Sequence, residues 1–476
     1  MKHRSFDCAI KQYRRCFAIY ERLGFDNIAV ASVLIEIGGC LYYTNQLSES
    51  SDYLYKALHI MEHELNKDEK CIAKVHETIG NVFFAKKDFE TAHASFKKAH
   101  LIYVRVFGKD SVQVGHLLYK IGQIYEMTKE STNIIECYME SLQLLTKYLG
   151  NNDIHVSLIL NSLGSYYAKR KDLLNAVKYY TEALNIQKAN LSKHHLDLAH
   201  TSYNLAKVLD EEGKHDDLIH LYTEALNIYQ HNKEDLYSAK CLHRIASLEK
   251  TKPDQALFNN KEALRIYKNV YGENAIETAV ILFDVGCIYK DKKNYEEASS
   301  YFIKSLKIKM ADQGNNTTDV ATTSQELASI FVLLEKYEEA AKLYKNALSI
   351  FNSILGDSDI KCAEIHFSLG KMYYSMGKYD NAVDKFKVCL QIYKDKFGDN
   401  SEEVAKTLIE LGKIQDKRID NEGAMRMLTS ALKIRTELGG KEDKKVAETM
   451  LYIARVLEDW GDVEEVCESK YLIYDL

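Results

Sequence analysis

Proline and long apolar segments are nearly absent from this chain. One proline, Pro253, occurs in 476 residues, and no run of 18 apolar residues exists. Because proline interrupts helices, its scarcity is compatible with a chain that is helical throughout. A transmembrane helix needs about 20 mostly apolar residues, so no membrane span and no membrane partner are expected. The N-terminus leads straight into a helical pattern without a signal segment, which favours a cytoplasmic protein.

Motifs typical of catalytic, phosphate-binding or metal-binding sites are also absent from the sequence. The chain has no glycine-rich phosphate loop, no H-E-x-x-H and no G-x-S-x-G motif. Its ten cysteines lack the paired spacing of metal ligands and are expected to be buried, reduced residues. With 63 basic and 69 acidic residues the net charge is −6, which argues against a nucleic-acid partner. We therefore expect no catalytic activity, no cofactor and no metal.

The chain does contain one pattern that recurs along its whole length, a large apolar residue followed by a small one. The steps between successive small residues are 42, except for two steps of 40 on either side of the sixth. Self-similarity at a fixed period is typical of a solenoid of stacked repeats. The small residues of repeats one to eleven are Gly38, Gly80, Gly122, Gly164, Ala206, Ala246, Gly286, Ala328, Gly370, Gly412 and Ala454.

A second small residue follows 19 positions later in most repeats, with an aromatic residue often three positions before it. Spacings of three and four residues form the core-facing stripe of an amphipathic helix, so each repeat is predicted to be two helices. We expect the helices to cross closely at the small residues, with the aromatics beside them. The second small residues are Ala57, Ala99, Ser141, Ala183, Ala225, Ser305, Ala347, Cys389 and Ala431.

Residues typical of turns lie between the predicted helices. Within repeats, Gly213 and Gly377 follow a helix end where a positive φ is needed, while Asp88, Asp172 and Asn294 would adopt that conformation or cap the next helix. Between repeats, segments that begin at Gly150, Gly272, Gly356 and Gly398 combine a glycine C-cap with an expected acidic N-cap.

The pattern Leu-Gly-x-x-Tyr followed by Ala-x-x-x-Tyr-x-x-Ala-Leu resembles the tetratricopeptide repeat. The usual period of that repeat is about 34 residues, and the period of 42 resembles the longer variant of kinesin light chains and nephrocystin-3. The resemblance covers nearly the whole chain. It implies an all-α, right-handed superhelical solenoid of antiparallel helix pairs that binds other proteins in a concave groove.

The positions of the repeats divide the chain into three parts. Residues 6–20 match 379–393, so residues 1–24 are predicted to be the second helix of an incomplete repeat. Residues 25–462 would form about ten full repeats and the first helix of the eleventh, and 463–476 an incomplete C-terminal helix. A solenoid normally needs polar caps, so we expect the chain to be a piece of a longer protein or to be covered by a partner.

The first helices should line the groove. Counted from the small residue, positions −6, −3, −2, +1 and +4 are expected to face it. In the middle repeats these positions are basic and rich in amide and aromatic groups, which favours a partner peptide that is acidic or ends in a carboxylate. The candidate groove residues are His116, Tyr119, Lys120, Asn161, His200, Tyr203, Asn204, Lys207, Lys240, His243 and Arg244.

Part of this set resembles the clamp with which tetratricopeptide proteins hold the C-terminal tail of a chaperone. Asn204, Lys240 and Arg244 match its second- and third-repeat positions, whereas the first-repeat positions are Asn161 and Ser165, without the family's lysine. The expected function is a non-catalytic scaffold or adaptor for protein interactions. The alternatives are a cargo adaptor like the kinesin light chain, or the regulatory arm of a larger enzyme or signalling ATPase.

Overall fold

The computed structural model describes residues 2–23, 27–63, 69–128, 133–214, 217–249, 251–440 and 443–460. The chain forms two compact units, an N-terminal body (residues 1–234) and a C-terminal body (residues 235–476). Regular structure in the described residues is helical throughout, and each body is a series of paired adjacent helices. The all-α prediction is confirmed.

The helices of the N-terminal body are α1 (Lys2–Leu23), α2 (Asn27–Tyr43), α3 (Leu47–His63), α4 (Glu69–Ala85), α5 (Phe89–Phe107), α6 (Val112–Thr128), α7 (Ile134–Leu149), α8 (Ile154–Lys169), α9 (Leu173–Asn190), α10 (Leu196–Glu212) and α11 (Leu218–His231). Those of the C-terminal body are α12 (Asp235–Leu248), α13 (Pro253–Tyr271), α14 (Ile276–Asp291), α15 (Tyr295–Gln313), α16 (Thr318–Leu333), α17 (Tyr337–Leu355), α18 (Ile360–Ser375), α19 (Tyr379–Phe397), α20 (Glu402–Lys417), α21 (Asn421–Gly439) and α22 (Lys444–Trp460).

From α2 onward, the even-numbered helices are the first helices of the repeats and the odd-numbered helices from α3 are the second. The second small residue is fully buried at every position predicted from the sequence, from Ala57 to Ala431. Where serine replaces alanine, its hydroxyl donates a hydrogen bond to the preceding helix: Ser141 to the Gly115 carbonyl at 2.6 Å, and Ser305 to the Ala279 carbonyl at 2.7 Å. The predicted core stripe is confirmed.

The first small residue marks the close crossing of the two helices, as predicted. A Cβ added at Gly80 would lie 2.4 Å from a ring carbon of Phe96, and one at Gly164 would lie 2.8 Å from Tyr180. The aromatic residue stands 16 positions after the glycine in both repeats. Its ring therefore occupies the space that a side chain on the first helix would fill.

In eight repeats the turn between the two helices contains a residue in the left-handed conformation, seven positions after the first small residue. Glycine supplies it at Gly213 and Gly377, but lysine does so at Lys171 and Lys293, with φ of 62° and 59°. The aspartate or asparagine predicted to share this role comes one residue later and caps the next helix instead, as where Asp172 Oδ1 accepts from a backbone N–H at 3.3 Å. An N-cap side chain satisfies a helical donor that otherwise has no partner.

Ile419 occupies the same turn position, with φ of 63° and 85% of its surface exposed. A β-branched residue is disfavoured in this conformation. We expect Ile419→Gly to raise the free energy of unfolding in urea by about 1 kcal/mol, because relief of the strain outweighs the entropy that glycine gains when unfolded. The reciprocal control is Gly377→Ile, whose added Cβ meets nothing within 4 Å. It should lose stability through its backbone alone, and a stability loss in Ile419→Gly would contradict the argument.

The connections between repeats also follow one geometry. Gly150, Gly272, Gly356 and Gly398 all have φ between 82° and 96°, as the predicted glycine C-caps require. The N-cap of the next helix stands three residues after each glycine. It is Asp153 or Asp359 in two connections, but Ala275 and Ser401 in the others. The acidic cap predicted after Gly272 and Gly398 is therefore wrong, because the loop length places a different residue at the cap.

One buried position varies in chemistry from repeat to repeat. It lies four residues after the second small residue, and every residue there is less than 9% exposed: Met61, Tyr103, Leu145, Gln187, Tyr229, Lys309, Phe351, Tyr393 and Arg435. Two of these contact the first helix of the next repeat, since Lys309 Nζ donates to Thr323 Oγ1 at 3.0 Å and Arg435 Nη1 to Thr449 Oγ1 at 3.0 Å. We call this the junction position.

The predicted C-terminal segment 463–476 lies outside the described residues. The three-part division of the chain and its right-handed superhelical course stay predictions.

Candidate functional site

The first helices of neighbouring repeats lie side by side and form a common face in each body. Helices α2 and α4, α8 and α10, α16 and α18, and α18 and α20 contact one another directly. Polar side chains bridge some of these helices: Lys169 Nζ of α8 lies 2.5 Å from Glu126 Oε1 of α6, and Lys290 Nζ of α14 lies 2.7 Å from Glu326 Oε2 of α16. The candidate groove residues belong to this first-helix face.

Two contacts show how the predicted positions align on this face. Tyr119 Oη lies 3.3 Å from Ser162 Oγ, and His243 Nε2 lies 2.5 Å from Asp284 Oδ2. Each contact joins position −3 of one first helix to position −2 of the next. The sequence predicted that these residues share one face, but not which of them contact each other across neighbouring helices. The repeat period gives the position of a residue on its own helix and not the sideways shift of one helix relative to the next.

Lys120 is the candidate cation with the most unusual environment. Its side chain is half-buried and forms no ion pair with any described residue. Burial lowers the pKa of Lys120 from its usual value, while the Glu77 carboxylate opposes that shift. Glu77 itself accepts hydrogen bonds from Tyr103 at 2.9 Å and Lys74 at 3.0 Å. A half-buried ammonium has lost hydration, and no ion pair within the described residues replaces it.

Amide groups follow on the next two first helices. Asn161 has a buried Oδ1 without a hydrogen-bond partner among the described residues. Its Nδ2 is neither bonded nor among the buried polar atoms, so it reaches solvent. Asn204 is half-buried and Lys207 exposed, and neither forms a hydrogen bond or ion pair with a described residue. Asn161 stands at position −3 and Asn204 at −2, so the alignment above makes them neighbours.

The candidate histidines and tyrosines are mostly engaged inside the protein. The ring of His116 lies 4.7 Å from that of His155, and Tyr229 Oη lies 2.8 Å from His200 Nδ1. Burial lowers the pKa of both His116 and His200, which favours neutral rings at neutral pH. The Tyr203 ring packs edge-on against another tyrosine. These residues shape the face and add little positive charge to it.

Three candidates belong to the C-terminal body. Lys240 is half-buried, with Nζ 5.0 Å from the ring centroid of Tyr237, and Arg244 is exposed. His243 is paired with Asp284, so this histidine already has an acidic neighbour. The proposed clamp joins these residues to Asn204 of the N-terminal body, and that correspondence stays a prediction.

The described part of the chain contains no group of three histidine, cysteine or carboxylate residues that could hold a metal ion. No helix there is long and apolar enough to cross a membrane. Its nine cysteines are all free thiols, and burial raises the pKa of Cys241, Cys287 and Cys389 to about 12.

A comparison with family models finds the tetratricopeptide repeat in four tandem matches, at residues 71–147, 155–231, 237–311 and 319–395. Together these matches span more than half of the chain. No curated protein matches the chain.

Several solved structures are similar in fold. BtubC (BKLC) from P. vanneervenii has 15% identity over 48% of this chain and 91% of its own, with a TM-score of 0.42. A tetratricopeptide repeat protein from Parabacteroides merdae has 18% identity over 63% and 98%, with a TM-score of 0.42. Kinesin-light-chain-like repeats from Podosopora anserina have 13% identity over 50% and 95%, with a TM-score of 0.28.

Proposed function

Since this chain belongs to the tetratricopeptide repeat family, whose repeats serve protein–protein interaction in general, we propose that it is a non-catalytic, cytoplasmic adaptor. Its ligand is an acidic peptide segment of a partner protein, bound on the first-helix face of the N-terminal body. The free thiols support a reducing compartment. The observation that carries the choice of ligand is Lys120, a half-buried cation without an ion pair in the described chain.

A bound carboxylate would supply what Lys120 lacks. A lysine whose pKa is lowered by burial gains more from an anionic neighbour than a hydrated surface lysine does. Other lysines in the N-terminal body already have such neighbours, for example Lys169 with Glu126 and Lys171 with Glu211. Lys120 can therefore still form an ion pair with a carboxylate of the bound peptide. A charge-assisted hydrogen bond of this kind contributes roughly 1.5–3 kcal/mol.

The groups beyond Lys120 suit an extended peptide. Asn161 presents its Nδ2 and Asn204 its whole amide, so both can donate to peptide carbonyls or carboxylates. Lys207 adds an exposed charge, without an ion pair among the described residues, on the same helix as Asn204. Tyr119, held by Gln123 Nε2 at 3.0 Å and by Ser162, gives the face a fixed aromatic surface. Amide donors can bind the backbone carbonyls of the peptide as well as its acidic side chains, and the aromatic rings lie beside them.

The test uses the full chain and a fluorescein-labelled peptide of glutamate, alanine and leucine with a free C-terminus. We expect Lys120→Glu with Lys207→Glu to weaken binding more than about tenfold in fluorescence anisotropy, because two attractive charges become repulsive. Binding should also weaken as salt rises, since partly exposed charges are screened. Glutamine in place of glutamate, and amidation of the C-terminus, separate side-chain recognition from recognition of the terminal carboxylate.

The matched control is Lys11→Glu with Lys97→Glu, which changes the net charge equally at two exposed lysines on α1 and α5. If the control weakens binding as much as the groove variant, the effect is general charge repulsion and the proposed face is rejected. Unchanged circular dichroism in both variants shows that the helices are intact.

A further inference from the structure

A cavity of about 550 Å³ lies between α12, α13 and α14 of the C-terminal body. It occurs where the repeat spacing is short. Helix α12 ends at Leu248, two residues after its small residue Ala246, whereas α14 runs to Asp291, five residues past Gly286. Past its small residue, α12 is therefore almost one helical turn shorter than α14, and the cavity adjoins its C-terminal end.

The walls of this cavity are apolar and its polar groups are mainly acceptors. Ala246, Ala256 and Ile288 contribute methyl groups to the lining. The acceptors are the carboxylates of Glu249, Asp284 and Asp291 and the amide of Asn260. The lining contains one cation, Lys292, which is paired with Asp254 outside the lining.

Two buried asparagines make the site more than a set of acidic residues. Asn260 lines the cavity and is 1% exposed, yet its Oδ1 accepts no hydrogen bond from a described residue. Asn259, 6% exposed, donates from Nδ2 to Glu249 Oε2 at 3.1 Å and so holds that carboxylate in place. A buried acceptor without a donor costs free energy that a ligand with N–H groups would recover.

Asp284 keeps acceptor capacity as well. Its Oδ2 contacts His243, and Oδ1 has no partner among the described residues. The C-terminal end of α12, which carries the partial negative charge of a helix terminus, adjoins the cavity at Glu249. Charge, acceptor geometry and helix terminus all favour a cation with several donors.

We propose that this cavity binds the guanidinium group of an arginine side chain from a partner protein. A guanidinium has five N–H donors in one plane and weak hydration, so it fits several acceptors between apolar walls better than a compact ammonium does. The proposal rests on the chain being a peptide-binding module, but it concerns another body and the opposite charge preference from the acidic-peptide face.

The test follows the alanine and isoleucine methyl signals of the full, 13C-methyl-labelled chain during titration with N-acetyl-arginine amide. We expect saturable shifts at Ala246, Ala256 and Ile288, with a Kd of the order of millimolar. N-acetyl-citrulline amide has the same shape without charge, and N-acetyl-lysine amide has charge without the planar donors. Both should bind at least about fivefold more weakly.

Variants then assign the acceptors. Glu249→Gln and Asp291→Asn should each weaken binding of the arginine probe at least about threefold. The control Asp357→Asn, in the exposed connection between α17 and α18, should leave binding unchanged. Equal shifts with citrulline, or affinity unaffected by Glu249→Gln, would overturn the proposal. Because the probe needs no acidic peptide, this result is independent of the test on Lys120 and Lys207.

Discussion

Arg435→Ala should lower the free energy of unfolding by about 3 kcal/mol, because it breaks a buried ion pair from one side. The Arg435 side chain is 8% exposed and its Nη2 lies 2.9 Å from Oε1 of Glu402, which is 18% exposed. Its Nη1 also donates to Thr449 Oγ1 and to the Lys445 carbonyl at 2.9 Å. These bonds connect α20, α21 and α22, so their loss would loosen the last three described helices. Urea unfolding followed by circular dichroism measures the effect.

The double variant Arg435→Met with Glu402→Leu is the informative control. It removes both charges and replaces them with apolar groups, which is often neutral or stabilising. We expect it to regain most of the stability lost in Arg435→Ala, since no carboxylate is then left without its partner. A nearby ammonium, Lys445 Nζ at 3.7 Å from Glu402 Oε1, limits the loss in the single variant. A single variant that costs less than about 1 kcal/mol would show that Lys445 replaces Arg435 fully.

Gly164→Leu should lower the free energy of unfolding by roughly 1–3 kcal/mol or more, through overpacking. Three ring carbons of Tyr180 lie 2.8–2.9 Å from where the first side-chain carbon would be, and Tyr180 is 3% exposed. The ring cannot move outward without leaving the core, so the helices must separate. The better helix propensity of leucine recovers only up to about 1 kcal/mol.

Two adjacent glycines of α2 provide a matched control for this argument. A Cβ at Gly38 would lie 2.7 Å from Leu54 Cγ, whereas one at Gly39 meets nothing within 4 Å. Gly39→Ala should therefore gain about 0.5–1 kcal/mol from helix propensity, while Gly38→Ala loses stability by overpacking. If both alanine variants change stability alike, close crossing is not the reason for the glycine pattern.

Much of the fold could be predicted from the repeat, because residues at equivalent positions of successive repeats pack in the same environment. Ala183 and Cys389 differ in type but share a register, and both are fully buried as expected. The left-handed turn residue was harder to identify. Lysine has no preference for positive φ, so Lys171 and Lys293 could be recognised only from their alignment with Gly213 and Gly377.

The candidate site was predictable only in part, for physical reasons. Sequence position places Lys120 and Asn161 on one face, but whether a cation is paired depends on the lateral offset between helices and on side-chain rotamers. The pairing of His243 with Asp284 could not be read from either residue alone. The cavity beside Glu249 depends on where α12 stops, and two short repeat steps indicate an irregularity there without showing what it encloses.

The junction position has a consequence for how such a chain can evolve. Most buried positions are interchangeable between repeats, so duplication or deletion of a repeat would preserve them. Lys309 and Arg435 are different, because each donates to a threonine hydroxyl on the helix that follows. A recombination event that put a valine or leucine opposite Lys309 would leave a buried charge without a hydrogen-bond acceptor among the described residues, and at Arg435 it would remove one of three acceptors. We therefore expect the order of repeats to be constrained at these two boundaries, and exchange of repeats to cost less stability where buried Leu145 or Phe351 forms the boundary.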